Sequence, residues 1–257
     1  MNTKTAKQIV KGYKTKLVLI AVGYVLAIAI CILITLKFLF AGLMIMLVLA
    51  VSVRMPFDKL REKEIESVIY DNLDPEKFNE IMSLGVLKNS NRHKLLYLAS
   101  AGKHEEILAL VKESEEKTMH PIDKCNNIYR EGYVYFERGE YNKLPSVIQK
   151  YEKLKSDNPK IQYALNNFTV FDKYDAFADE DYEYVVDVCD IDLRAINPKA
   201  QNHKLTRVNV GFYRAVSLYK LGRLEEAKKG FEDIVAFAPL MYKAKLSQEF
   251  IDLIEKE

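Results

Sequence analysis

The 257-residue sequence predicts an all-α protein, in which a two-helix transmembrane hairpin precedes a solenoid of α-helical hairpins. Two long uncharged apolar runs lie close together near the N-terminus. From residue 56 onward, apolar residues recur mostly at helical spacing and strand-like alternation is rare. Glycine and proline fall where these helical patterns pause, as expected at helix boundaries.

The first apolar run, residues 17–36, contains twenty uncharged residues between Lys16 and Lys37. As a helix it is about 30 Å long, which matches the hydrocarbon core of a bilayer. The second run, 38–53, has sixteen residues and a helical length of about 24 Å, a shortfall that local thinning or snorkelling accommodates. One helix through both runs would be on the order of 55 Å long, too long for a single crossing. We therefore predict a hairpin with two spans and a tip near Lys37.

The basic residues beside the spans predict the orientation of the hairpin. Lysines precede the first span at Lys4, Lys7, Lys11, Lys14 and Lys16, and further basic residues follow the second span at Arg54, Lys59, Arg61 and Lys63. The connecting turn has Lys37 alone, so both termini are expected in the cytoplasm. The chain then divides into a basic cytoplasmic tail (1–16), a transmembrane hairpin (17–53) and a cytoplasmic helical domain (54–257).

Two features of this anchor leave alternatives open. The lysines of the tail fit either an interfacial helix that contacts anionic membrane lipid or a disordered tail that only fixes the topology. The first span carries a stripe of small residues, Gly23, Ala27, Cys31 and Thr35. Small side chains let helices pack closely in lipid. The stripe therefore predicts either packing against the second span or a homodimer through the first span.

Composition and motifs argue against several classes of function. Residues 60–257 hold thirty basic and thirty-five acidic side chains, a balance that argues against nucleic acid as a partner. No glycine-rich phosphate loop, nucleophile elbow, HExxH motif or EF-hand loop is present. The three cysteines and four histidines lack metal-ligand spacing, and His93, His104, His120 and His203 are predicted to be ordinary surface or turn residues. We predict no catalytic residue, no cofactor and no metal.

Helices are predicted throughout the larger domain. Their ranges are 57–71, 75–84, 91–101, 104–117, 122–138, 141–156, 160–176, 180–195, 203–221, 224–237 and 240–256. The segment 211–239 has small residues at Ala215 and Ala227, the turn residue Gly222, and large apolar residues at Leu224 and Phe231, and it ends at Pro239. This segment resembles a tetratricopeptide repeat. Residues 125–159 match the family less fully, through Gly132, Tyr135, Gly139 and Tyr141.

The resemblance implies an array of helix pairs in which the first helix of each pair lines a concave groove. Its groove positions fall on Asn126, Tyr129, Tyr133 and Phe136 in one unit and on Asn209, Phe212, Val216 and Tyr219 in the other. In this family the groove binds extended peptides or partner helices, although the same residues also fit packing between repeats. The last helix, 242–255, is expected to cap the open end of the stack.

The anchor and the resemblance together predict a non-enzymatic scaffold or adaptor. It would bind a protein partner in the repeat groove at the cytoplasmic face of a membrane. The alternative is an accessory, regulatory or immunity-type subunit of a membrane protein complex, acting through its transmembrane hairpin.

Overall fold

The computed structural model describes residues 4–37, 39–52, 54–87, 91–115 and 119–256. Within these ranges the regular structure is helical and no strand occurs. The chain folds into two compact units, residues 1–90 and 91–257. The first unit therefore extends well past residue 54, where the sequence placed the start of the cytoplasmic domain.

Unit 1 contains one very long helix and several shorter ones. They are α1 (Ala6–Lys37), α2 (Leu39–Ser52), α3 (Arg54–Arg61), a π-helical turn (Glu62–Glu66), α4 (Ser67–Tyr70) and α5 (Pro75–Ser83). Asp74 caps α5, because its carboxylate accepts a hydrogen bond from the backbone N–H of Lys77 at 3.0 Å, and Pro75 fills the first helical position. This helix start was predicted from the sequence.

Helices α1 and α2 pack side by side and run in opposite directions. The hydroxyl of Tyr24 donates a hydrogen bond to the carbonyl of Ser52 at 3.1 Å, and the Tyr24 ring lies 6.1 Å from that of Phe57. Among the described helices, α1 is long and apolar enough to cross a membrane. Helix α2 has 14 residues and a length of about 21 Å. Its neighbours Phe38 and Val53 lie outside the described residues, and its status as a second span remains a prediction.

The basic N-terminal segment is helical from Ala6 and continues without a break into the apolar part of α1. Ala6, Ile9 and Val10 are buried, and α1 packs against α3, the π-helical turn and α5. Lys16 forms an ion pair with Glu64 of the π-helical turn. The apolar face of this segment is therefore occupied by protein, which excludes the disordered tail for these residues.

Unit 2 consists of helices that pack mostly on their neighbours in the chain. They are α6 (Asn91–Ser100), α7 (His104–Glu115), α8 (Pro121–Glu137), α9 (Leu144–Asp157), α10 (Gln162–Leu165), α11 (Val170–Ala178), α12 (Tyr182–Ala195), α13 (His203–Lys220), α14 (Leu224–Phe237) and α15 (Tyr242–Ile254). Glycines with positive φ follow several of them, including Gly102 (φ 68°) and Gly222 (φ 73°), where the left-handed conformation ends a helix.

The predicted helix 160–176 is interrupted in the structure. Helix α10 ends at Leu165, whose carbonyl accepts a hydrogen bond from the hydroxyl of Tyr151 at 2.9 Å. Asn166 and Asn167 follow as a turn, and α11 begins at Val170. Asparagine has a low helix propensity because its amide competes for nearby backbone groups. This break creates one wall of the pocket described below.

An aromatic core joins α8, α11 and α13. The Phe136 ring lies 4.7 Å from that of Phe177, 4.3 Å from that of Tyr213 and 6.4 Å from that of Tyr174. Such ring pairs contribute about 0.5–1.5 kcal/mol each beyond the burial of their area. The inner faces of these three helices are therefore held together by aromatic packing.

The last helix has a larger role than the predicted cap. The Phe250 ring stacks on that of Phe231 at 4.8 Å and lies 6.3 Å from that of Phe212, which fixes α15 against α13 and α14. At its other end, Lys243 reaches the side chains of Tyr133 and Glu137 on α8. Helix α15 therefore packs against α8 and α13 in addition to α14.

Candidate functional site

The eight predicted groove residues divide into two groups. Tyr133, Phe136, Phe212 and Val216 are buried, whereas Asn126, Tyr129, Asn209 and Tyr219 are partly exposed. The buried residues fit the other interpretation of these positions, in which they pack between helices and do not line a groove. In this conformation its four members are inaccessible to a partner.

Helix α15 explains part of this burial. The Lys243 ammonium lies 4.4 Å from the centroid of the Tyr133 ring and 5.4 Å from that of the Phe212 ring. Phe250 contacts Tyr219 with a ring separation of 5.2 Å. The sequence could not reveal this, because a helix that ends a stack and a helix that folds across its inner face have the same amphipathic pattern.

The accessible groove residues meet at one pocket of about 310 Å³. Asn126 and Tyr129 come from α8, and Asn209 comes from α13, so residues of both predicted repeat units contribute. The full lining is Asn126, Tyr129, Asn167, Phe168, Thr169, Val170, Lys173, Asn209, Val210 and Tyr213. The segment 167–170, which the sequence placed inside a continuous helix, forms the wall between them.

The polar groups of this pocket are mostly neutral. The side-chain amides of Asn126, Asn167 and Asn209 make no hydrogen bond with any residue that the structure describes. The ammonium of Lys173 lies 2.8 Å from the carboxylate of Asp192, which neutralises it. The pocket thus presents three uncommitted amides, each with donor and acceptor atoms.

The tyrosines of the pocket remain protonated at neutral pH. Burial, reinforced by the charge of Glu137 and only partly offset by Arg130, raises the pKa of Tyr129 to about 12. Burial also raises the pKa of Tyr213 well above its ordinary value, and its hydroxyl lies 3.2 Å from that of Tyr174. The rings therefore offer apolar surface and neutral hydroxyls beside the asparagine amides.

A larger cleft of about 830 Å³ lies among α12, α13 and α14. Two of its charged groups have partners: Nε of Arg214 lies 2.6 Å from Oδ1 of Asp190, and Arg207 lies over the Phe237 ring at 5.4 Å. Asp233, which also lines the cleft, makes no hydrogen bond or ion pair with a described residue. The smaller pocket offers more unsatisfied hydrogen-bonding capacity, and it contains the predicted groove residues. We therefore take the smaller pocket as the candidate site.

Unit 2 also contains a buried cluster of charged side chains, which was not predicted from the sequence. Glu137 forms an ion pair with Lys243, and its Oε2 lies 2.7 Å from Nε2 of His104. Lys243 donates to the hydroxyl of Tyr133 at 3.1 Å, and that hydroxyl donates to the carbonyl of Ala99 at 3.0 Å. His104, predicted to be an ordinary surface or turn residue, is instead buried because its ring packs edge-on against Tyr242.

The Glu137 carboxyl is ionised in this cluster. Burial alone would raise its pKa, but the charge of Lys243 and hydrogen bonds from His104 and Lys243 together hold the pKa below its ordinary value. An ionised carboxylate is an acceptor only, so Nε2 of His104 carries the proton that the carboxylate accepts. This cluster connects α7, α8 and α15, and Glu137 also lines a pocket of about 220 Å³ with Phe212 and Phe250.

The small residues of the predicted stripe in α1 lie in different environments. Cys31 is buried, Ala27 is half-buried, and the hydroxyl of Thr35 donates to the carbonyl of Cys31 at 2.7 Å. Tyr24 and Cys31 lie two turns apart on the face that packs against α2. Gly23 lies beside this face, and a Cβ atom there would meet no atom within 4 Å.

The described residues contain no group of three or more His, Cys, Asp or Glu side chains that could hold a metal ion. The fold and the pocket define an all-helical protein with an apolar hairpin and a helical array that bears a neutral, amide-lined pocket. No protein-family model, curated protein or solved structure matches this chain.

Proposed function

We propose that this chain is a membrane-anchored, tetratricopeptide-like adaptor that binds a protein partner and has no catalytic activity. The observation that carries the proposal is the pocket in which Asn126, Asn167 and Asn209 present uncommitted amides beside the Tyr129 ring. The partner would be an extended peptide segment, since its backbone offers alternating N–H and C=O groups that such amides can bind.

The composition of the pocket supports a peptide with an apolar side chain. Phe168, Val170 and Val210 add apolar surface to the Tyr129 ring, and aromatic side chains give large contact area with few rotatable bonds. A charged ligand group is less suited to this pocket because Lys173, which lies in its lining, is already paired with Asp192. Burial of an unpaired charge is costly, so the pocket favours neutral ligand groups.

The proposed anchor consists of two spans, α1 and α2, with both termini in the cytoplasm. Support comes from the length of α1, the antiparallel return of α2 and the excess of basic residues outside the apolar runs. The 14 residues of α2 require bilayer thinning or snorkelling of flanking residues, which has a modest energetic cost. Cysteine substitutions at Lys4, Lys37 and Lys256 test this topology. An impermeant maleimide applied to intact cells is expected to label position 37 only.

The competing function is that of an accessory or regulatory subunit that acts through the hairpin. The open space beside Gly23 favours it, because another helix of a membrane protein, or a second copy of α1, fits where no side chain lies. In that case bulky substitutions at Gly23 would disrupt assembly, whereas changes in the pocket of unit 2 would not.

Site-specific photo-crosslinking in native membranes tests the adaptor function. A photoreactive amino acid at Thr169, inside the pocket, is expected to capture one defined partner, and the same group at the exposed Tyr163 is not. The triple variant Asn126→Ala, Asn167→Ala and Asn209→Ala should lose the capture. Alanine at the exposed Asn142, Asn166 and Asn202 is the matched control, since these residues lie outside the pocket lining. Equal capture by both triple variants would refute a role for the amides.

A further inference from the structure

Three lysines of α1 line a second, smaller pocket that the adaptor function leaves unexplained. Lys7, Lys11 and Lys14 lie one helical turn apart on one face of α1. With Val10, Thr15 and Leu84 they line an open surface pocket of about 320 Å³. All of these residues belong to unit 1, and the pocket therefore lies entirely within that unit.

The positive charge of this pocket is not neutralised by the protein. No carboxylate in the described part of the chain forms an ion pair with Lys7, Lys11 or Lys14, whereas the next lysine, Lys16, is paired with Glu64. The hydroxyl of Thr15 is committed to the carbonyl of Lys11 at 3.0 Å. Three exposed ammonium groups therefore line one open pocket and are available to an anionic partner from outside the chain.

The buried face of the same segment fixes how these lysines are presented. Ala6, Ile9 and Val10 are buried by unit 1, so this part of α1 does not lie on a membrane by its apolar face. It continues instead as a rigid extension of the apolar helix, with the lysines on its open face. A tail that served only to fix topology would need the charges but not a cavity between them.

The position of the lysines along α1 matches the depth of lipid headgroups. At 1.5 Å per residue, Lys14, Lys11 and Lys7 lie about 4, 9 and 15 Å before Leu17, the first residue of the apolar run. The headgroup region occupies roughly 5–7 Å on each side of the hydrocarbon core. Lysine side chains extend along apolar surface toward polar groups, so Lys14 and Lys11 reach this region and Lys7 lies on its aqueous side.

We propose that Lys7, Lys11 and Lys14 bind the phosphate-bearing headgroup of an anionic phospholipid. This inference rests on the proposed anchoring of α1 in a membrane. The ammonium groups bind the phosphate oxygens, and Val10 and Leu84 contact the carbon atoms of the headgroup. Each lysine near an anionic surface strengthens binding about fivefold, so the three together account for on the order of 100-fold in affinity.

Native mass spectrometry of the full chain in detergent micelles tests this site. The added probes are phosphatidylglycerol, phosphatidylcholine with the same acyl chains, and inorganic phosphate. We expect retention of phosphatidylglycerol, but of neither other probe, by the wild type. The triple variant Lys7→Gln, Lys11→Gln and Lys14→Gln should bind phosphatidylglycerol on the order of 100-fold more weakly.

The matched control replaces Lys124, Lys153 and Lys229 by Gln, which removes the same charge from exposed positions of unit 2. It should bind phosphatidylglycerol as the wild type does. Equal lipid affinity in both triple variants would overturn the inference. Binding of inorganic phosphate as strong as that of the lipid would also overturn it, since this would indicate a free-anion site.

Carbonate extraction separates the lipid site from the proposed membrane anchor. A wild-type chain released from membranes overturns the anchor and this site together, whereas a chain that stays in membranes but binds lipid independently of the three lysines overturns this site alone.

Discussion

Lys243 and Glu137, which lie 106 residues apart in the chain, form an ion pair in which both side chains are buried. Lys243 belongs to the last helix and Glu137 to the third helix of unit 2. This contact, with the Tyr133 hydroxyl and the His104 ring around it, fixes α15 across the inner face of the array.

Replacement of Lys243 by Met should destabilise unit 2 strongly, because it leaves the Glu137 carboxylate buried without its cation. Loss of one partner of a buried pair costs about 3–5 kcal/mol in the free energy of unfolding. The double variant Glu137→Gln with Lys243→Met should lose less than the sum of the two single changes. Urea unfolding followed by circular dichroism measures this. Lys245→Met, at an exposed position of the same helix, is the control and should change little.

The stability of unit 2 should decrease in acid in a way that depends on Glu137. Its pKa in the folded protein lies below the ordinary value of 4.5, so the unfolded chain binds a proton first as the pH falls. The stabilisation is fully present above about pH 4.5 and is lost as the pH falls through the lower, folded pKa. The melting temperature should therefore fall less steeply between pH 6 and pH 3 in Glu137→Gln than in the wild type. Glu226→Gln serves as a comparison, since that exposed carboxyl also has a lowered pKa; an identical slope change there would contradict a specific role for Glu137.

Two glycines with similar backbone angles should differ in their response to alanine. Gly102 has φ 68° and Gly222 has φ 73°, so alanine is strained at both by about 1–2 kcal/mol. At Gly102, however, the new Cβ would lie 2.3 Å from Cγ of Tyr242, while at Gly222 no atom lies within 4 Å. Gly102→Ala should therefore be clearly more destabilising, and hydrogen exchange should show α15 opening more often in that variant only. Equal destabilisation would show that the Tyr242 ring moves aside without cost.

Substitutions in α1 distinguish packing within the hairpin from a homodimer. Ala27 is half-buried on the side that packs against α2, so Ala27→Trp should separate the two helices. Gly23 has open space around its Cα, so Gly23→Trp should leave the hairpin intact. Crosslinking by a short bifunctional maleimide between cysteines placed at Tyr24 and Ser52 reports the hairpin. Chemical crosslinking of whole membranes reports the dimer. Loss of a dimer in Gly23→Trp but not in Ala27→Trp would show that the face of α1 at Gly23 mediates self-association.

Much of the fold could be predicted from local sequence signals. Asp74 and Pro75 predicted the start of α5, and Gly102, Gly139 and Gly222 predicted helix ends, because caps and left-handed turns depend on residues close in sequence. The continuous helix predicted for 160–176 was wrong at Asn166–Thr169, where the hydrogen bond from Tyr151 to Leu165 and packing of the aromatic core favour a break. Local patterns do not report such distant contacts.

The candidate site could be predicted only in part. Repeat positions identified Asn126, Tyr129 and Asn209, which do meet at one pocket. They also identified Tyr133 and Phe212, which are buried under α15. Nothing in the order of residues pairs Lys243 with Glu137 or His104, since each looks like an ordinary polar residue on an amphipathic helix.

The sequence by itself determined the helical class, the apolar hairpin and its basic flanks, because hydrophobic periodicity, run length and charge are properties of neighbouring residues. Only the tertiary structure decided which groove positions stay open, where the buried charges find partners, and that three lysines of α1 line one open pocket with Leu84. These features depend on contacts between residues far apart in the chain. Such contacts form when packing places two surfaces together, and a single sequence carries no direct record of them.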